Sequence, residues 1–599
     1  MPANEANSPE ADTDGPLRVT LDCDGDAQTE LPIVSITVRH ALNCVSSARL
    51  VLIDGDMPTG KVPLSDGALF KPGASIVVKA GYGDDEAELF TGIVVRHGFK
   101  ISGNNYGRLE VECRHAAFKM TLGRRSAHYV NQSDSAVIAA LIGRAGLAAD
   151  VASTSFVHGE LVQHDCTDWD FMLARADALG LLVRCTGDGI AVKPPDFGAE
   201  PVLGVTWGAD LIDFAADIDA RQQWKAVQAN SWSPAQQGLL QGESVAPQAA
   251  SAQGNLDGGV LAAVASPATF ALQSCAPQTK DMLDAWAKAT QLKAALARIR
   301  GHMTFQGSAK ALPGTLVSLK GVGERFSGDV HLSAVQHELA DGNWTCRAEF
   351  GLDPDWHLER ADVRAPANAG LVPGIGGLHI GVVMKLDEDP AGEQRVQVRL
   401  PYLQVETPGV WARLAQGHAS SGFGHFIVPE VGDEVVLGFF NEDPGHPVIL
   451  GSLYSSSRTP PYALEAENNT KAIVTRCKHR IEFNEKDKII TIETPSKNTL
   501  VLDDTDKSVL LKDQNGNSIK LSSAGIALDS PKDIKLTAQG AITLTATTGI
   551  KLDCQADIQA QGLNITAQAQ VAFTGKGSAT AELSAAGQTT VKGALVMIN

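Results

Sequence analysis

The sequence predicts a mainly β protein with a few helices: two related β-barrels, an OB-fold barrel and a C-terminal intertwined triple-stranded β-helix. Three observations predict it. Apolar residues near the C-terminus recur in i, i+2 pairs at a period of eight. One layout of turns and strands occurs twice in the first 340 residues. Five short alternating strands crowd into residues 377–454.

At 599 residues and 63.0 kDa the chain is too long for a single core. A net charge of -19 repels phosphate backbones and excludes nucleic acid as a partner. With no run of about 20 apolar residues, no membrane-spanning helix is expected. The segment Met1–Pro16 is polar and lacks the basic start and apolar run of a signal peptide. It is expected to be a disordered leader on a protein made in the cytoplasm. The nine Cys lie scattered without a C-x-x-C pair, which predicts buried free thiols, no zinc or disulfide framework and no cofactor.

Residues 17–130 read as the first barrel, with strands such as Val34–Val38, Ser75–Lys79 and Leu109–Cys113. Residues 131–275 read as a mixed, partly helical insertion. One helix is expected over Asp134–Leu147, capped by Ser133 or Asp134. A second is expected over Asp168–Leu179, ended by Gly180. The Gln/Ala/Gly/Ser-rich stretch Gln236–Val264 predicts an exposed loop. A third helix is expected over Lys280–Arg300, with an apolar stripe from Leu283 to Ile299 and Gly301 as its stop. Residues 276–364 hold this helix and the second barrel.

The repeated layout is Pro-Gly, an apolar strand, a turn, Phe-x-Gly and a strand reaching a His. It runs from Lys71 through Leu89 to His97, and again from Leu312 through Arg325 to His337. Residues 365–376 (APANAGLVPGIG) form a linker. Five strands follow, Ile380–Leu386, Arg395–Leu400, Val410–Leu414, Glu434–Phe440 and Pro447–Leu453. A closed OB-type barrel suits them, because closure removes free edges. Their scarcity of basic groups points to a connector rather than a nucleic-acid binder. Residues 455–470 form a second linker.

The tail, 471–599, is the most regular part. Ile526/Leu528, Ile534/Leu536, Ile542/Leu544, Ile550/Leu552 and Ile558 repeat every eight residues. Upstream pairs, from Ile481/Phe483 to Ile519/Leu521, are spaced nine or ten. A spacing of two puts both side chains on one face of a strand. An octad is too short for a single-chain coil but gives one strand and one bend. Three chains wound together close a prism with these residues as its trimer core. Each buried Ile or Leu contributes roughly 2 kcal/mol before entropy.

Together these segments resemble the VgrG-type spike of phage-tail-like contractile injection systems, which is the phage tail hub and spike fused in one chain. The motifs that carry the resemblance are Gln163–Phe171 with Gly180, Asn230–Pro234, Pro313–His337, Pro429–Val435 and Pro447–Leu453. The resemblance implies a homotrimer whose barrels form a pseudo-sixfold hub on a hexameric inner-tube protein among other baseplate proteins. It implies a needle capped by a PAAR-type tip protein, possible effector cargo, and transient contact with a target membrane as the particle is driven into the envelope. The tip partner is expected to dock on Leu595, Val596, Met597, Ile598 and Asn599, where the strand pattern runs to the last residues. The basic aromatic barrel signature of type VI proteins is missing, which favours an extracellular injection particle or a phage-like system. The roughly 25 residues between Leu453 and Lys478 leave no room for a lysozyme domain.

No H-E-x-x-H, G-x-S-x-G or Walker loop is present. Asp22-Cys-Asp-Gly-Asp26 starts like a calcium loop but has Ala27 and Ile33 where the loop needs Gly and Glu, so it reads as an acidic turn. The last His is His479, far from the end, so no tip metal is expected. The expectation is therefore a structural spike and not an enzyme. The alternatives are a trimeric adhesin or a spike with cell-wall hydrolase activity in the Gln163–Phe171 region.

Overall fold

A computed structural model describes residues 6–12, 15–103, 106–247, 252–363, 365–402 and 408–598. It divides into two compact units, Met1–Leu453 and Tyr454–Asn599.

The first unit opens with β1 (Leu17–Cys23), β2 (Asp26–Gln28), β3 (Ile33–Ala41), β4 (Ser47–Ile53), β5 (Ser75–Tyr82), β6 (Asp85–Ile101) and β7 (Gly107–Arg114). A mixed layer follows: β8 (Arg125–Ser133), α1 (Asp134–Arg144), β9 (Ala148–Val151), β10 (Val157–Cys166), α2 (Asp168–Ala178), β11 (Leu182–Thr186) and β12 (Gly189–Lys193). Then come β13 (Leu203–Thr206), β14 (Leu211–Ile218), β15 (Val227–Ser233), β16 (Gly238–Gln241), α3 (Gly258–Ala265), β17 (Phe270–Ser274) and α4 (Lys280–Ala297). The set closes with β18 (Ile299–Gln306), β19 (Leu316–Lys320), β20 (Gly328–Ala340) and β21 (Asn343–Phe350).

The strands of the two expected barrels share one 13-stranded sheet, because β20 pairs with β3. Their cores also merge. Phe70, Phe90 and Ile76 bury with Phe305, Phe350 and Val335 in one cluster. The repeated layout has matching hydrogen bonds. Gly73 N–H donates to Val94 O (2.8 Å) and Val94 N–H to Ala74 O (2.9 Å). In the second copy Gly314 N–H donates to Leu332 O (2.8 Å) and Leu332 N–H to Thr315 O (3.0 Å). Both glycines have positive φ, 99° and 87°, which explains the repeated Pro-Gly.

Helix ends follow local chemistry. Ser133 caps α1, Thr167 caps α2 and Thr279 caps α4, each through its side-chain oxygen. Gly180 follows α2 at φ 69°, the left-handed stop expected there. Four expectations are corrected. Helix α4 stops at Ala297, and Ile299 and Gly301 belong to β18. A Cβ at Gly301 would lie 2.2 Å from Ala215 O, so the glycine permits strand contact and does not end a helix. Within Gln236–Val264, β16 and the start of α3 are ordered, α3 being capped by Asp257. Low-complexity composition hid its short apolar run. Four cysteines, Cys44, Cys275, Cys477 and Cys554, are exposed rather than buried. Finally, the part of the leader described is structured: Pro9–Asp12 form a 3-10 turn and Asn7 O accepts from Gly204 N–H (3.0 Å).

The first unit ends in a five-stranded closed barrel made of β22 (His379–Lys385), β23 (Val396–Arg399), β24 (Val410–Leu414), β27 (Glu434–Phe439) and β28 (Pro447–Ser452). The two-residue strands β25 (Ala419–Ser420) and β26 (Phe423–Gly424) form a side hairpin. Val383, Val398, Ala412, Val435, Leu437 and Ile449 fill the barrel, each fully buried. Asp389 clamps the β22–β23 turn. It accepts from the backbone N–H groups of Ala391, Glu393 and Arg395 and from the Arg395 guanidinium, which holds its carboxyl well below the usual range.

Candidate assembly interface

The second unit begins with seven five-residue strands: β29 (Thr470–Val474), β30 (Arg480–Asn484), β31 (Ile489–Glu493), β32 (Thr499–Asp503), β33 (Ser508–Lys512), β34 (Ser518–Ser522) and β35 (Gly525–Asp529). Each pairs antiparallel with the next, giving an up-and-down sheet within one chain. This single-chain sheet precedes the octads after Ile526/Leu528 and is not part of the expectation, which treats the tail only as three chains wound together. The steps of nine or ten residues from β30 to β34 each hold a five-residue strand and a reversing turn, and the seven-residue step to β35 reverses at Ser523-Ala524.

The turns repeat their chemistry. Thr475, Thr494 and Asp513 each accept a backbone bond from the residue three further on, Lys478, Lys497 and Gly516, all at positive φ. Lys488 and Lys507 take the same left-handed conformation on the alternate turns. Lys is not a usual occupant of that region; Asn484 and Asp503 carry the turn signal, each accepting a backbone N–H from three residues on (3.0 and 2.8 Å).

The register stacks the apolar pairs. Ile481 lies opposite Ile492, Ile490 opposite Leu502, Leu500 opposite Leu511, Val509 opposite Leu521, and Ile519 opposite Leu528. The result is a continuous apolar face. A single chain does not cover it: Ile492 is 43% exposed and Leu511 51%.

Beyond Asp529 no strand pairs within the chain among the described residues. The backbone bends at 531–532, 539–540, 547–548 and 555–556, then at 563, 570–571, 578–579, 586–587 and 594–595. From 555 to 570 there are fifteen residues, one octad and one heptad. The slip falls between Ile558 and Ile565, and the period of eight then resumes to 595. Thus the stretch Ala579–Ala586, irregular in side chains, is regular in backbone.

The structure places the expected core residues as follows. Ile526 and Leu528 lie on β35, while Ile534, Leu536, Ile542, Leu544, Ile550, Leu552 and Ile558 sit between bends. All are exposed in one chain, the first Ile of each octad by 54–55% at 534, 542 and 550. Leu595, Val596, Met597 and Ile598 are exposed too, and Asn599 lies outside the described residues.

The motif residues of the mixed layer form structural networks. Gln163 is fully buried. It accepts from Tyr129 Oη (3.0 Å) and donates to Asp168 Oδ1 (2.9 Å), which Arg144 also holds (3.1 Å). Buried Asp134 accepts from Arg175 Nε (2.6 Å), with His158 Nε2 at 2.7 Å. Both oxygens of each carboxylate are hydrogen-bonded to neighbouring side chains, so these carboxylates orient α1 and α2 against β8 and β10. His337 lies 3.1 Å from Cys346 Sγ in the main core. Burial pushes the imidazole down to about 3, helped by His40, and the thiol up to about 12. Buried His331 has neither ring nitrogen hydrogen-bonded and is pushed down to about 4 by burial. In the acidic turn, Gly25 N–H donates to Asp22 Oδ1 (2.8 Å) and Ser75 N–H to Asp24 Oδ1 (2.8 Å). Among the described residues no three His, Cys, Asp or Glu are grouped to hold a metal. No helix among them is long and apolar enough to cross a membrane.

Comparison with known proteins adds three domain matches. Residues 13–341 match the Alg8 N-terminal domain family. Residues 379–454 match the type VI secretion system/phage-baseplate injector OB domain, and residues 489–546 the phage baseplate V C-terminal trimerisation domain. The chain is 32% identical over 164 residues to the actin cross-linking toxin VgrG1 of Vibrio cholerae, covering 25% of this chain and 14% of that protein. It is 28% identical over 165 residues to the type VI secretion system spike protein VgrG1c of Pseudomonas aeruginosa, covering 25% and 22%. The matches therefore span under a quarter of these relatives. Among solved structures, a 43 kDa tail protein of a Shewanella oneidensis prophage aligns with 56% of this chain and 98% of its own, at 10% identity and a TM-score of 0.44.

Proposed function

The chain belongs to the Alg8 N-terminal domain family and is a VgrG-type spike protein of a contractile injection system, and from that premise we propose that three copies close their C-terminal segments into one β-helical needle. The observation that carries this reading is the apolar column from Ile481 to Ile558, aligned by register or by period and uncovered in one chain. Exposed apolar surface of this extent marks a surface that another chain covers. A three-chain prism turns Ile526, Ile534, Ile542 and Ile550 inward and leaves Lys535, Thr543 and Lys551 in water.

In this reading the 13-stranded sheet of each copy forms the hub on a hexameric inner tube. The closed barrel narrows the hub into the needle. Residues 595–599 receive a PAAR-type tip protein, and the particle is driven into a target envelope. The buried carboxylates of the mixed layer are structural, and the reading assigns no catalytic step to them. Native mass tests it. The full chain should sediment at about three times 63.0 kDa. It should also retain a tube-forming partner in a pulldown. A stable 63.0 kDa monomer on dilution overturns the needle. Peptidoglycan turnover by the pure protein overturns the structural reading of the mixed layer.

A further inference from the structure

Within the 13-stranded sheet two sets of six strands have one topology. The first runs β1-β5-β6-β7-β4-β3 and the second β13-β19-β20-β21-β18-β14. In each set the strands follow one another along the chain in the same sequence. The likeness extends to single residues. The register of β3 on β4 slips between Ile33 and Ser35, and that of β14 on β18 between Leu211 and Asp213. The register of β6 on β7 slips between Val94 and Arg96, and that of β20 on β21 between Leu332 and Ala334. With the matching Pro-Gly corners, these bulges fix the correspondence. Arg96 stands where Ala334 stands, and Asp213 where Ser35 stands. The histidines that end the repeated layout do not correspond: His97 matches Val335, not His337. The one difference in pairing is that β1 and β5 are antiparallel whereas β13 and β19 are parallel.

The sets are joined where the edge of β20, Ala334–Ala340, pairs antiparallel with β3. By the correspondence, the same junction exists a second time as two unmatched halves. The counterpart of the β20 edge is β6 from Arg96 to Ile101. Its far side pairs with β7, and β5 leaves it at Ile93. The counterpart of β3 is β14, a terminal strand of the sheet. Among the described residues neither edge has a further strand partner. Seven strand-to-strand steps separate them in the sheet order, so one copy does not join them.

We propose that β6 of one copy pairs antiparallel with β14 of the next, in the register of the internal β20–β3 junction. Transfer of that register sets Arg96 opposite Asp219, His97 opposite Ile218, Gly98 opposite Asp217, Phe99 opposite Ala216, Lys100 opposite Ala215 and Ile101 opposite Phe214. Side chains alternate between faces. On one face His97, Phe99 and Ile101 meet Ile218, Ala216 and Phe214. On the other Arg96 and Lys100 flank Asp217 diagonally. Nothing in the transfer required this match of Phe99 and Ile101 with Ala216 and Phe214, nor of cation with anion; His97 keeps Ser65 and the Phe70 carbonyl of its own chain as partners. In the single chain Phe99 and Ile101 are 38% and 67% exposed, and among the described residues Arg96, Lys100 and Asp217 make no ion pair. An open edge carrying apolar side chains is a liability unless it is paired. Three copies joined this way alternate six matching strand sets around a ring. The inference rests on the trimeric reading above and adds the residues that join its hub.

Disulfide trapping tests it on the full chain, with exposed Cys44, Cys275, Cys477 and Cys554 replaced by Ser. Directly opposed residues have Cα atoms about 4.5–5.5 Å apart, within disulfide reach, whereas diagonal ones at about 7–8 Å fall outside it. Lys100→Cys with Ala215→Cys should therefore form covalent trimers on mild oxidation. Lys100→Cys with Asp217→Cys should do so about tenfold less. A second variant needs no cysteine. Asp217→Lys should raise the concentration for half-assembly about tenfold, and adding Lys100→Glu, which leaves Arg96 opposite Asp219, should restore most of it. A sedimenting trimer that yields no 100–215 cross-link, or that ignores Asp217→Lys, overturns the edge pairing and leaves the trimeric reading standing. A monomer at all concentrations overturns both.

Discussion

The 13-stranded sheet and the C-terminal tail use similar side chains to opposite ends. In the sheet, Phe70, Phe90, Phe305 and Phe350 are at most 2% exposed in one chain. In the tail, Ile542 and Ile550 are 54% and 55% exposed and have nothing of their own chain to cover them. The sheet alternates strands from distant parts of the sequence, so its core closes on itself. Beyond Asp529 the tail advances mostly eight residues at a time and no strand pairs back within the chain among the described residues. Burial in the first is a property of one molecule, and burial in the second depends on concentration.

The sharpest way to break this contrast is to charge the column. Asp at Ile534, Ile542 and Ile550 together should abolish the trimer, because burying unpaired carboxylates cancels the gain from each Ile. Asp at Lys535, Thr543 and Lys551 should leave it intact. Sedimentation velocity compares the sets, and equal effects would show the inward assignment to be wrong. Next in size, Phe305→Ala should cost the sheet about 3–5 kcal/mol in denaturant unfolding. The needle should remain resistant in the same sample.

Acid should separate the regions further. Burial lowers His337 to about 3 and His331 to about 4 in the folded sheet. The unfolded chain therefore takes up protons first as pH falls below about 6.5. The stability is present above that pH and is lost towards pH 4 and 3, by roughly 2 kcal/mol per histidine at pH 5. Thermal melts from pH 7 to 5 should show the sheet transition falling and the tail transition steady, since no His follows His479. The smallest expected effect on stability is removal of Leu595–Asn599. It should leave the trimer and abolish pulldown of a PAAR-type tip protein. Unchanged tip binding would refute docking there.

Legibility in the sequence divides along the same line. The five barrel strands after residue 377 and the tail octads were readable because their pattern is local, with a period of two or eight and turn residues between. The caps Ser133, Thr167 and Thr279 were readable, or recoverable, for the same reason. The β20–β3 junction was not, since it pairs residues some 300 positions apart and nothing near either strand announces the other. The Pro-Gly repeat hinted at duplication, yet its terminal histidines misaligned by two residues, and only the bulges corrected the match. Ile299 and Gly301 were misread because a helix stripe runs straight into a strand. In the tail, the reversing turns close on Lys478 and Lys497 at positive φ, which Lys seldom adopts, and this hid the intrachain sheet.

The seven-residue step between Ile558 and Ile565 also has a bearing on how three chains find one another. A perfect octad is degenerate: chains shifted by one repeat would bury the same Ile and Leu at nearly the same free energy. A single short repeat removes that degeneracy. Chains shifted by one repeat would set a heptad of one against an octad of the others, and the level between the displaced steps would be out of phase by one residue. In a strand, one residue exchanges the inward and outward faces. The step therefore works as a key that admits a single alignment of the three ends.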